Sequence, residues 1–168
     1  MSGVQTCALP ILNLTFHFFI SVSNIDATFK FSKIDIANLS GKNTIKLEFC
    51  DATKIILDND LVSLNLDESY STVNIKPGKL SASYIISTSF GSFIDRSSVG
   101  VKRTDTPDKY GPDSDKTFEG KSGNGSAKID IKSSFGKIIL GEPTSEDFKD
   151  KKDKSKNKNK SKGNVVHI

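Results

Sequence analysis

Hydrophobic and polar positions alternate along most of this chain, most clearly from Ala127 to Leu140, AKIDIKSSFGKIIL. Ile129 and Ile131 alternate with Asp130 and Lys132, then Ser133, Ser134, Phe135 and Gly136 turn the chain, and Ile138 to Leu140 resume. A period of two predicts a strand with one buried face and one wet face. A glycine directly after an aromatic, between two apolar runs, suits a tight corner with positive φ, which a β-carbon would resist.

The same unit recurs upstream. Ala82 to Phe93, ASYIISTSFGSF, repeats the small first residue, the paired Ile85 and Ile86, and the Ser89, Phe90, Gly91 corner. Glu68 to Ile75, ESYSTVNI, places Ser69 and Tyr70 at the equivalent point. Aligning Phe29, Phe49, Tyr70, Phe90 and Phe135 gives spacings of 20, 21, 20 and 45 residues, the last being one period with an insertion. A period near 20 built from short strands and corners predicts a single all-β domain, a parallel β-solenoid or β-helix-like stack, because no such coil buries its apolar face alone. An antiparallel sandwich, whose strands also recur at short intervals, is the other arrangement compatible with the pattern. Shared corner chemistry favours the solenoid, with Tyr70, Phe90, Gly91, Phe135 and Gly136 as structural corners and the aromatics directed inward as a ladder.

Between residues 12 and 95 the apolar pairs Phe29/Phe31, Ile34/Ile36, Ile45/Leu47, Ile55/Leu57 and Leu64/Leu66 keep the period of two. Ser40-Gly41, Asp58-Asn59-Asp60 and Pro77-Gly78 supply turn chemistry between them. Leu12 to Val22 reads as one buried strand. Residues 96–126 carry two of the five prolines and five glycines with little periodicity, which predicts a loop insert, with a hairpin closed by Gly123-Asn124-Gly125. Loops on rigid scaffolds often hold function, so a binding surface is sought there first.

Both ends differ from this body. Gly3 to Ile11, GVQTCALPI, resembles the translation of a sequencing-adapter oligonucleotide, so residues 1–11 are set aside and the domain is taken as residues 12–141. The Leu12 to Val22 run lacks a cationic leader and is too short for a membrane span. Residues 142–168 have a lysine-rich, apolar-poor composition that predicts a disordered tail. Phe148 to Gly163 holds eight Lys against Asp150 and Asp153, a net +6, which leaves −2 of the chain's +4 for everything else. The body is therefore nearly neutral, and a tail of this kind can attract anionic polymer or lipid.

Catalytic and metal-binding constellations are sparse. His17 lies in an apolar strand and His167 at the very end, so a histidine-based triad or metal site has little to draw on. With Cys7 in the excluded run, Cys50 remains alone and reads as a small buried hydrophobe. Asp58 and Asp60, Asp67 and Glu68, and Asp113 and Asp115 are paired acids, yet Asp58-Asn59-Asp60 lacks the glycine and distal glutamate of a helical calcium loop. The expectation is no enzyme, no catalytic, cofactor or metal residues, and no specific nucleic-acid partner.

Leu64 to Leu140, with LNLDESYSTVNI, SYIISTSFGSF and the closing FEGKSGNGSAKIDIKSSFGKIIL, resembles the C-terminal part of an adhesin-like family of unknown-function proteins from Gram-negative bacterial envelopes. The specific element is G-x-G, an alternating strand, then S-S-[FY]-G. The resemblance implies parallel β-repeats, export to the periplasm, outer membrane or cell exterior, and a non-enzymatic adhesive or structural role with a surface polysaccharide or protein as partner. It carries no catalytic residues. Fold alone does not establish the role.

Overall fold

The computed structural model describes residues 8–12, 17–19, 21–50, 52–107, 112–145 and 147, with side chains from residue 21 onward. The tail beyond Asp147 lies outside the described residues, as does most of the adapter-like run. The fold is all-β: among the described residues thirteen strands join one curled sheet and there is no helix. None is therefore a helix long and apolar enough to cross a membrane.

The N-terminal strands are β1 (Ala8–Leu12), β2 (His17–Phe19) and β3 (Val22–Ser23). Strand structure is interrupted at Ser21, so Leu12 to Val22 is not one unbroken strand, and residues 13–16 and 20 of that run lie outside the described residues. β1 pairs with the strand at Asp26–Lys30, whereas β2 and β3 pair with the one at Ile34–Glu48. That β1 includes part of the adapter-like run has a simple cause, since a sheet edge offers backbone groups to any extended segment.

Five strand–corner–strand units follow. The first runs from β4 (Asp26–Lys30) through Phe31 into the front of β5 (Ile34–Glu48), and the second from the rear of β5 through Phe49 into the front of β6 (Thr53–Ser69). The third continues from the rear of β6 through Tyr70 into β7 (Thr72–Lys76). The fourth is β8 (Ala82–Ser89), Phe90 and β9 (Ser92–Arg96). An insert with β10 (Lys102–Arg103) and β11 (Asp115–Lys121) precedes the fifth, which is β12 (Ala127–Ser134), Phe135 and β13 (Lys137–Gly141).

Units pair with units in parallel and in matched register. Ala27, Ile45, Leu66, Ile131 and Ile86 form one buried row across the sheet, and Phe29, Leu47, Glu68, Ser133 and Thr88 form the next. On the strands after the corners, Ile55, Ile75 and Leu140 form a third. Every member of these rows sits at the same parity of an alternating strand, so the sequence pattern is what buries them.

Sequence order and spatial order part at the end of the chain. The neighbours run β4, β5, β6, β12, β8, β11, β10, so the fifth unit lies between the third and the fourth. Two connections make this possible. Pro77 to Ser81 joins the third unit to the fourth across the intervening strand, while the second and third are joined through Asp58-Asn59-Asp60 within β6. Ser122 to Ser126 then carries the chain from β11, on one side of β8, to β12 on the other.

Gly123-Asn124-Gly125 therefore closes a crossover around Ser81 and not a hairpin. The Gly125 N–H donates to Ser81 Oγ at 3.2 Å, Ala127 N–H to Ser81 O at 3.0 Å, and Ser122 Oγ–H to Leu80 O at 2.6 Å. Gly123 has φ +56, and a β-carbon on it would meet Ser81 Oγ at 2.5 Å. The antiparallel contacts of the insert lie elsewhere, β11 with β8 and β10 with β11. Val99, Val101 and Phe118 pack against the core, and Phe118 meets Phe93 with ring centroids 4.8 Å apart. The insert therefore covers the fourth unit.

Candidate functional site: an aromatic spine and a buried carboxylate

Each unit turns at an aromatic residue with left-handed backbone: φ is 50° at Phe31, 55° at Phe49, 53° at Tyr70, 54° at Phe90 and 58° at Phe135. Three expectations change here. The positive φ belongs to the aromatic and not to Gly91 or Gly136. The first member is Phe31, two residues after Phe29, which instead occupies the buried row beside Leu47. The rings face outward, 49–65% exposed, although strand parity alone would turn them in.

The left-handed residue causes that reversal. It breaks the alternation, swings its own side chain to solvent and gives the inward place to the residue after it. Those residues are Ser32, Cys50, Ser71, Gly136 and Gly91, all small. Left-handed backbone is costly for a bulky residue. The cost is offset because the rings stack on one another: Phe31 on Phe49 at 5.2 Å, Phe49 on Tyr70 at 5.0 Å, Tyr70 on Phe135 at 5.1 Å, and Phe135 on Phe90 at 5.1 Å. Interplanar angles are 2–6°.

The backbone hydrogen bonds continue through the corner. Phe31, Phe49 and Tyr70 donate their N–H to Glu48, Ser69 and Ser134 carbonyls at 3.0 Å, and Phe135 donates to Ser89 at 2.9 Å. The corner is thus part of the ladder. Along the middle of the spine each ring face is covered by a neighbour, and only edges meet water. The faces of Phe49, Tyr70 and Phe135 are therefore taken up by stacking between units.

Directly under the spine lies a carboxylate that the sequence offers only as one of a pair of acids near a corner. Glu68 is fully buried, in the row otherwise held by Phe29, Leu47, Ser133 and Thr88. Its oxygens accept the Ser133 hydroxyl and the Ser71 N–H, the latter at 3.1 Å. Burial pushes the carboxyl up to about 7, against the opposing pull of those two donors, and the neighbouring Asp67 charge adds to the rise. A β-carbon on Gly136 would collide with both Glu68 oxygens. Gly136 is therefore glycine to make room for Glu68. The signal was legible, because Leu64, Leu66 and Glu68 share one strand parity.

Polar satisfaction in this row is incomplete: Thr88 Oγ1, beyond Ser133, is buried without a hydrogen-bond partner. Next to Ser71, Cys50 is fully buried, as expected, and its N–H donates to Ser71 Oγ at 2.9 Å.

Several of the remaining candidates are tied to a local partner. Asp58 Oδ1 accepts its own turn's Asp60 N–H at 3.1 Å. Asp113 and Asp115 do not converge: Asp113 accepts from Arg103 at 2.8 Å, whereas Asp115 accepts the Ser89 hydroxyl at 2.6 Å. Arg103 also holds Asp105, which keeps that carboxyl down at about 2, chiefly through the guanidinium hydrogen bonds. Asp95 ties the insert's base by accepting the Ser97 and Val101 N–H groups at 2.8 and 2.9 Å.

The chain stays in contact with the body past Gly141. Buried Asp147 accepts the Thr144 N–H at 2.7 Å and Arg96 Nη2 at 3.0 Å, and these contacts lower its carboxyl to about 2. Lys137 Nζ donates to its carbonyl at 2.6 Å. His17 is placed by its backbone in β2, and His167 lies outside the described residues. No group of three or more His, Cys, Asp or Glu that could hold a metal occurs among the described residues.

No known family model, curated protein or solved structure matches this chain.

Proposed function

We propose that this chain is a β-solenoid module with a non-enzymatic, adhesive or structural role in a bacterial cell envelope. The observation that carries the reading is the aromatic spine. Five units repeat one corner in parallel register, and their rings are satisfied by one another and not arranged around a cavity. A chain built this way is a spacer or presenting surface, since each unit needs only its neighbours for stability. The envelope setting rests on the sequence resemblance of Leu64 to Leu140 to the adhesin-like family.

Localisation tests this directly. The natural gene product, epitope-tagged in its own cells, is expected in the envelope fraction and accessible to added protease or to a membrane-impermeant label. Recovery in the cytosolic fraction alone overturns the envelope role, and turnover of a polysaccharide or ester by the purified protein overturns the non-enzymatic one.

A second reading draws on the Asp147 clip, which anchors the chain two residues before the lysine run starts at Lys149. In that reading the cationic segment docks the module to an acidic polymer or an anionic membrane.

A further inference from the structure

Two units of this chain carry the same complement to Glu68. The fifth presents Ser133, Phe135 and Gly136. The fourth presents Thr88, Phe90 and Gly91 at the same three positions, and the earlier units have Ser32, Cys50 and Ser71 where these have glycine. Registers agree as well. β12 pairs Ile129, Ile131 and Ser133 with Leu64, Leu66 and Glu68, and the same three residues pair with Tyr84, Ile86 and Thr88 of β8. On the other strands, Ile138 pairs with both Val73 and Phe93.

We propose that the fifth unit is a removable wedge, and that the chain has a second compact state in which the fourth unit stacks directly on the third while residues 127–141 are released. In that state β8 takes the register β12 now holds on β6, Phe90 stacks on Tyr70, and Gly91 leaves room for Glu68 as Gly136 does. Thr88 Oγ1, now without a partner, meets the carboxylate in place of Ser133. The Pro77 to Ser81 connection, which now spans two strand spacings, then spans one. Two packings that satisfy one set of complementary residues are the condition for a bistable element.

Cysteine pairs distinguish the states, because a disulfide needs Cα atoms within about 7 Å and successive strands lie about 4.8 Å apart. Ser69 pairs with Ser134, and Ser134 with Ser89, so Ser69 and Ser89 are two strands apart. In the full chain under oxidising conditions, with the bonded pair read by peptide mapping, Ser69→Cys/Ser134→Cys is expected to close quickly. Ser69→Cys/Ser89→Cys is expected to close slowly, and at least about tenfold faster when Ile131→Asp evicts the wedge.

A Glu48→Cys/Ser69→Cys pair, adjacent in both states, reports whether the second and third units remain folded in the Ile131→Asp chain. Closure of that control with no 69–89 bond overturns the proposal. So does the absence of any 69–89 bond in the chain with Ile131 intact, over a time in which 69–134 closes completely. A 69–134 bond found only between two molecules also overturns it, since the wedge then comes from a second copy.

Discussion

Glu68 occupies the space that a side chain at Gly136 would need, although the two residues are 68 positions apart and belong to different units. The glycine's backbone is not left-handed, so its requirement is steric and comes from across the sheet. Gly136→Ala is expected to destabilise the fold by about 3 kcal/mol, the scale of overpacking a closed interior. In a Glu68→Ala background the same change is expected to cost under about 1 kcal/mol, because the collision is gone. Denaturant unfolding of the four chains measures the coupling, and equal costs in both backgrounds would sink the assignment.

The same carboxylate sets a pH dependence. Its folded value of about 7 lies above the ordinary 4.5, so between those values the folded chain binds more protons than the unfolded one. The stabilisation is present below about 4.5 and is lost as pH rises through about 7, a change of about 3 kcal/mol. Asp105 and Asp147 act in the opposite sense: their values of about 2 give stabilisation that is present above about 4 and lost on further acidification. Maximum stability is expected at about pH 4 to 4.5, where the two windows meet. Urea midpoints from pH 4 to 8 should show the fall, and Glu68→Gln should flatten it above pH 5.

Position along the spine decides what a ring contributes. Phe135 stacks on both Tyr70 and Phe90, whereas Phe31 stacks on Phe49. At about 1 kcal/mol per stacked pair, Phe135→Ala is expected to cost about 2 kcal/mol and Phe31→Ala about 1. A buried phenylalanine would cost about 3 to 5 kcal/mol, so thermal melts also test the outward orientation.

The Asp147 clip separates the body from the lysine-rich segment. Deleting residues 148–168 removes eight lysines and retains the contacts to Arg96, Lys137 and Thr144, so the melting temperature should be unchanged. If the tail docks the module, binding to heparin or to vesicles containing phosphatidylserine should fall sharply, as should its salt dependence. Binding that persists unchanged would assign it to the body.

The sequence by itself determined the strands, because an alternation such as Ile129, Ile131 against Asp130, Lys132 is a local property that a pleated backbone must honour. It also located the corners at Tyr70, Phe90 and Phe135, since a serine followed by an aromatic recurs there, with a glycine next at Phe90 and Phe135. Which way those aromatics point was not legible: one left-handed residue reverses the parity, and its cost is tolerated only when a second ring lies 5 Å away on another unit. The tertiary structure alone decided the order of the units. Matched registers make the third unit's edge acceptable to the fourth and the fifth alike, and only the crossover around Ser81, with Glu68 seated over Gly136, places the fifth between them.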